Sequence, residues 1–366
     1  MKRRARVIAF YLPQFHPIPE NDEWWGKGFT EWTNVGKAKP LFSGHYQPRV
    51  PADLGYYDLR LPIVREQQAE MAKEAGIEGF CYWHYWFGNG RTLLSEIFDE
   101  VLKSGTPDFP FCLGWANHSW SRKTWVDDSK KDVDLMRQEY PGEEDYINHF
   151  YNVLPAFKDK RYIMVDGKPL FVVYEPLLIP SPKQFMDLWN KLAAQNGLKG
   201  IHFVGNAQGW ESNFQAVLDN GYDALTSENK WVAQKKAMGY VRLMIKHKLT
   251  MWLPKFSPLD KFNYKDIIDN WFTEYDKMEN CYPSVIPGWD RSPRGGRKAL
   301  IYTNSTPELF KRHMADALEI VRHKQPEHRI IFLKSWNEWA EGNYVEPDIK
   351  YGKGFLNAIK EVILGG

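Results

Sequence analysis

A single (β/α)8 barrel is the fold class this 366-residue chain predicts, and three observations carry it. Short β-branched or aromatic runs recur eight times along the sequence. Most gaps between them hold a stretch with helical period. Almost every run ends in aromatic residues beside a hydrogen-bonding side chain. Apolar strands alternating with helices imply a parallel sheet covered by helices. Eight of them suit a closed barrel better than an open sheet; a doubly wound sheet is the structural alternative.

The first run, Val7–Leu12, follows the basic start MKRRAR and ends at Pro13. It is too short for the apolar core of a signal peptide, and no small-residue cleavage site follows, so it reads as a buried strand of a cytoplasmic protein. Leu61–Ala75 places Ile63, Gln67, Met71 and Ala75 on related helix faces and stops at Gly76. The second run, Gly79–Tyr85, precedes a helix over Thr92–Lys103, and the third, Phe109–Trp115, one over Glu144–Phe157. Leu170–Tyr174 is followed by Pro182–Asn196, and Gly200–Val204 by Trp210–Asn220. Ala224–Thr226 leads into Trp231–Cys281, a long Lys-rich segment read as an elaborated loop-plus-helix region. Ser284–Pro287, a helix over Pro307–Lys324 and the strand Ile330–Leu333 complete the set. No repeat, low-complexity tract or linker interrupts the chain, so residues 1–366 read as one catalytic domain.

Composition narrows the function. Hydrophobic residues make 43% and charged residues 26%, as in an ordinary globular protein. A net charge of +2 gives no sign of nucleic acid or of an anionic membrane as partner. No window of about 18 apolar residues exists to span a membrane. Cys81, Cys112 and Cys281 are sparse, lack CxxC spacing, and read as reduced and buried. The unusual feature is aromatic: 16 Trp, 19 Tyr and 21 Phe, 15% of the chain. Flat apolar faces with a polar edge suit sugar rings, so the composition leans towards an oligo- or polysaccharide site.

In a barrel the active site lies at the carboxyl ends of the strands. There the chain places Gln14, His16, Glu31 and Trp32; His84 and Tyr85; Trp115, Asn117, Trp120 and Arg122; Tyr174 and Glu175. The later strands add Asn206, Glu228, Trp289 and Asp290, and the last adds Asn337. Trp or Tyr faces beside carboxylates, amides and imidazoles grip a polyhydroxylated ring. The sharpest element is Lys334-Ser335-Trp336-Asn337-Glu338-Trp339-Ala340-Glu341-Gly342, straight after the last run. Glutamates at i and i+3 share one side of a helical turn. Glycosidic cleavage needs a proton donor and a second carboxylate, so Glu338 and Glu341 are the candidate catalytic pair. Trp336 and Trp339 would desolvate it and raise one pKa.

SWNEWAEGNYVEPD (Ser335 to Asp348) resembles the signature of glycoside hydrolase family 99. The likeness extends to the WbsX-like proteins of bacterial polysaccharide clusters through FYLPQFHPIPENDEWWGKGFTEWTNV, HYQPR, GFCYWHYWF, WANHSW and SVIPGWDRSPR. Ala340 stands where the characterised endo-mannosidases have His, so the resemblance carries over the two glutamates but not their substrate. The resemblance implies a (β/α)8 barrel, a retaining α-mannosidase-like activity, and no metal or other cofactor. It implies Glu338 as the base at the sugar's own 2-hydroxyl, giving a 1,2-anhydro sugar, and Glu341 as the general acid/base. Direct attack by a carboxylate is the alternative route. WbsX-like proteins are also labelled glycosyltransferases, and a non-catalytic glycan-binding protein is a third reading. The only transferase-like motif, Asp132-Val133-Asp134, is a three-residue match expected by chance among 46 acidic residues. There is no GxGxxG after the first strand, no HExxH and no GxSxG.

Overall fold

The computed structural model describes residues 3–121, 134–209, 211–253 and 259–365. Eight parallel strands close into a barrel: β1 (Arg6–Tyr11), β2 (Gly79–Trp86), β3 (Phe111–Trp115), β4 (Lys168–Val173), β5 (His202–Gln208), β6 (Ala224–Glu228), β7 (Cys281–Val285) and β8 (Ile330–Leu333). Each pairs with the next in sequence, and β8 returns to β1 with Val7 opposite Ile331 and Ala9 opposite Leu333. Closure removes both sheet edges. The open-sheet alternative is therefore excluded.

Helices α1 (Pro62–Glu74), α2 (Glu96–Ser104), α3 (Glu143–Phe157), α4 (Pro182–Gln195) and α5 (Glu211–Asp219) follow the first five strands. After β6 come α6 (Lys230–Met238), α7 (Tyr240–Trp252) and α8 (Tyr264–Asp269). The outer layer ends with α9 (Pro307–Val321) and α10 (Gly354–Lys360). A small parallel pair lies off the barrel: Asp260–Asn263, just before α8, with Leu300–Thr303, between α8 and α9. No helix among the described residues is long and apolar enough to cross a membrane.

Several boundaries differ from those expected. Thr92 and Leu93 extend no helix; they pair antiparallel with Trp86 and Tyr85. The reversal passes through Gly88, Asn89 and Gly90, all at positive φ, where glycine and asparagine are least strained. β5 continues to Gln208 because β6 supplies ladder partners as far as Glu228, despite the weak strand propensity of Gly205-Asn206-Ala207.

Strand and helix side chains form one large core, with two smaller clusters beside it that hold Trp271 and Trp120. Six tryptophans, Trp115, Trp120, Trp189, Trp271, Trp336 and Trp339, are fully buried. Much of the aromatic excess thus fills the space between barrel and helices rather than a sugar site. Within the barrel Phe10 stacks on Trp83 at 4.6 Å and on Phe332 at 5.2 Å. Cys81, Cys112 and Cys281 are free and buried, as their spacing suggested.

Candidate active site

A pocket of about 360 Å³ opens at the carboxyl end of the barrel. Leu12, Tyr85, Ala116, Tyr174, Lys230, Trp289 and Lys334, each at or just beyond a strand end, contribute to its wall. Trp83, Tyr85, Trp120, Tyr174 and Trp289 supply aromatic surface, and Glu175, Glu338 and Glu341 supply carboxylates.

The glutamate pair is not carried by an α-helix. Asn337–Glu338 is a two-residue strand paired antiparallel with Asn343–Tyr344, and Trp339–Glu341 between them is a 3-10 turn. A 3-10 turn eclipses i and i+3, so both carboxylates still face one way. Ser335 Oγ accepts from the Asn337 and Glu338 amides at 3.1 and 3.0 Å. Gly342 closes the turn at φ 57°, where a Cβ would meet the Asp290 Cβ at 2.8 Å. The site therefore needs glycine twice over.

Arg294, on the short helix Ser292–Gly295, binds the pair together. Its Nη1 donates to Glu341 Oε1 at 2.7 Å and its Nη2 to Glu338 Oε2 at 3.3 Å. The same guanidinium donates to Glu31 Oε1 at 2.6 Å from Nη2 and 3.1 Å from Nε. Arg291 Nε lies 3.6 Å from Glu341 Oε1. Burial, then the neighbouring Glu341 charge, push Glu338 up to about 8 against the pull of Arg294. Burial also works to raise Glu341, but Arg294, Arg291, Lys230 and Lys334 outweigh it and hold that group below its ordinary range. The two carboxyls are thus pushed in opposite directions, Glu338 towards keeping its proton and Glu341 towards losing it.

A second cluster stands opposite. Glu228, at the end of β6, pairs with Lys230 at 2.5 Å and with Lys334. Burial raises Glu228, but the two ammonium groups win and bring it to about 2. Lys230 Nζ sits 3.5 Å from the centre of the Trp289 ring. Glu175 is raised by burial and by the Glu228 charge, and accepts from Gln208 Nε2 at 3.3 Å.

The expected site residues divide into groups. Tyr85, Trp120, Tyr174, Glu175, Trp289, Glu338 and Glu341 line the pocket. Glu31 and Glu228 lie behind its wall and hold the cations in front of them. Others hold backbone in place. Asn117 exchanges hydrogen bonds with both the amide and the carbonyl of Glu175, each at 2.8 Å. Asn337 does the same for Leu12, at 2.8 and 3.0 Å, and Asn206 Nδ2 donates to the Tyr174 carbonyl. Asp290 receives Gln47 Nε2 at 2.7 Å and contacts His45 at 2.8 Å, while its amide donates to the Glu341 carbonyl.

A third group lies in the core. Trp32 donates to the Tyr57 carbonyl, Trp115 to that of Trp86, and His84 meets His149 at 2.9 Å. Gln14 and His16 are fully buried. Arg122, with part of the Asp132-Val133-Asp134 motif, falls outside the described residues. Trp336 and Trp339 do not flank the pair as expected. Their indole N–H groups turn inward to Glu346, at 2.8 and 2.6 Å.

A family model described as Glycosyltransferase WbsX matches residues 7–359. The chain belongs to the WbsX family. Two curated relatives in Xanthomonas campestris pv. campestris, both named Uncharacterized protein WxcX, are 38% and 37% identical over 98% of this chain. The chain spans half the length of these relatives. Among solved structures, a glycoside hydrolase-like protein superposes with TM-score 0.59 at 15% identity, covering 99% of this chain and 94% of its own. The GH99 endo-alpha-mannosidase of Bacteroides thetaiotaomicron does so with TM-score 0.57 at 16% identity, covering 98% and 96%. At those identities the likeness shows a shared fold.

Several pocket residues of this WbsX-family chain carried no role in the sequence reading: Arg294, Arg291, Lys230, Lys334, Trp83 and Asn343. Lys334 and Asn343 sit within or beside the quoted signature, so position alone could have flagged them. Trp83, Arg291 and Arg294 likewise lie within the quoted GFCYWHYWF and SVIPGWDRSPR, but the role of Arg294 could not be read there, because its partners Glu31 and Glu341 are brought to it only by barrel closure.

Proposed function

We propose that this protein is a retaining glycoside hydrolase acting on an α-linked, mannose-like bacterial polysaccharide through Glu338 and Glu341. One observation carries this reading: two carboxyl groups held by one guanidinium face a pocket walled by aromatic rings. Cleavage with retention needs one group that gives a proton and one that takes a proton or attacks. Here burial and Arg294 keep the two in different states.

By motif position, Glu338 takes the proton of the 2-hydroxyl and Glu341 protonates the leaving oxygen. That division requires the arriving sugar to move the proton from Glu338 to Glu341. Arg294 and Arg291 on Glu341 favour a second division, with Glu338 as the acid and Glu341 as the ionised partner. The family's description favours a further reading, sugar transfer from a nucleotide donor.

The test is incubation with the source cell's surface polysaccharide, with and without nucleotide sugars, followed by mass analysis. Shortened products without a donor are expected. Turnover that depends on a nucleotide sugar would replace hydrolysis by transfer. Binding with no product in either condition would leave a glycan-binding protein.

A further inference from the structure

The net charge of +2 conceals a strongly uneven distribution. Between Glu228 and Asp260 the chain has no acidic residue and seven Lys or Arg. Helix α7 lies in this stretch. At about 100° per residue, Val241, Ile245, Leu249 and Trp252 fall on one stripe of it. They are 69%, 54%, 42% and 75% exposed. Arg242 and Lys248, both exposed, flank the stripe, and exposed Lys236 lies just before the helix. The opposite side carries the packing: Leu243 is fully buried and Lys246 pairs with Asp260 at 2.7 Å.

Surface helices ordinarily turn their apolar stripe inward. This one packs by a narrow edge and presents aliphatic and indole surface outward. A contiguous exposed apolar face marks a contact surface. Bordered by cations, it has the pattern of a helix that lies in a bilayer interface, its apolar side among acyl chains and its basic residues on lipid phosphates. The helix is also tied to the pocket. Residue Lys230, which starts α6, lines the pocket, and α7 folds back on α6 with His247 5.0 Å from Trp231.

We propose that α7 docks this protein onto an anionic lipid surface. Charge complementarity selects that occupant: exposed Lys236, Arg242 and Lys248, in a stretch of sequence without an acid, repel a second copy of the same face and attract phosphate headgroups. Docking there would hold the enzyme where membrane-attached glycans are displayed.

The test is co-sedimentation of the purified protein with vesicles of phosphatidylcholine alone or mixed with phosphatidylglycerol. The protein is expected to pellet with the mixed vesicles, to remain in solution with the neutral ones, and to be released by high salt. The double variant Ile245→Glu/Trp252→Ala and the double variant Lys236→Glu/Arg242→Glu should each weaken binding by about tenfold or more. All four side chains are exposed, and unchanged far-UV circular dichroism would verify that both variants fold. No partition onto anionic vesicles, or partition untouched by both variants, overturns the proposal. So does self-association abolished by Ile245→Glu in a protein that ignores vesicles, which would assign the face to a second copy. The readout needs no catalysis, so it stands or falls apart from the proposed hydrolase activity.

Discussion

Arg294 touches three carboxylates, and it shares its bonds unequally between the two of the candidate pair. Glu341 takes the 2.7 Å bond and Glu338 only the 3.3 Å one, so burial dominates at Glu338. Two outcomes follow at the residue scale. If Glu341 is the acid, Glu341→Gln should lower the rate by about 10² or more for a poor leaving group and much less for an activated one. If Arg294 instead keeps Glu341 ionised through the reaction, that contrast should appear in Glu338→Gln. Paired rates on aryl and alkyl glycosides measure it. The second outcome concerns stability. A carboxyl at about 8 in the folded chain, against its ordinary 4.5, keeps its proton where the unfolded chain has lost it. The folded state then binds more protons, so stability falls as pH rises from about 4.5 to about 8. Glu338→Gln should flatten that fall and exceed the parent in stability at pH 8. Urea titrations at pH 5, 6.5 and 8 would show it; an unchanged slope would place the proton elsewhere.

The turn that presents the pair depends on one buried acid, Glu346. Its Oε1 accepts from Trp336 Nε1 and Gln68 Nε2, and its Oε2 from Trp339 Nε1 and Tyr57 Oη. Burial raises it to about 7 even with four donors opposing. Glu346→Gln would turn an NH2 towards two donors. Leaving them unpaired should cost about 1–3 kcal/mol each, and activity should fall with stability. Denaturant midpoints and rates measured together test this; full activity in a destabilised variant would show that the turn holds Glu338 without Glu346. The element also shows where sequence reading stops. That Glu338 and Glu341 share a side was legible from their spacing, which serves a 3-10 turn as well as an α-helix. The direction of Trp336 and Trp339 was not, because a tryptophan beside a carboxylate in sequence can turn to either side of a turn. Their common acceptor, Glu346, lies ten and seven residues on in the same signature, and only the folded turn brings it to both. Likewise β5 reads on past Val204 only because β6 lies alongside it.

At the scale of the whole molecule, the barrel was legible because its strands are apolar on both faces and recur with helices between them. The excursion after β6 was visible only as a basic interruption, since α6, α7 and α8 owe their arrangement to contacts with one another. They share a small separate cluster with Phe262, Trp271, Ile286, Trp289 and Tyr302. Within it Leu243 is the fully buried side chain that α7 contributes. A region with few buried apolar groups opens at lower free energy than a closed barrel. Leu243→Ala should therefore cost about 2–4 kcal/mol locally. Amide exchange would quicken across Lys230–Trp252 while β1 to β8 keep their protection. Because Lys230 and Trp289 face the pocket from this side, the same substitution should weaken sugar binding without shifting the main unfolding transition. If the barrel amides accelerate to the same extent, the excursion belongs to the barrel's own cooperative unit, and the pocket has no wall that can yield by itself.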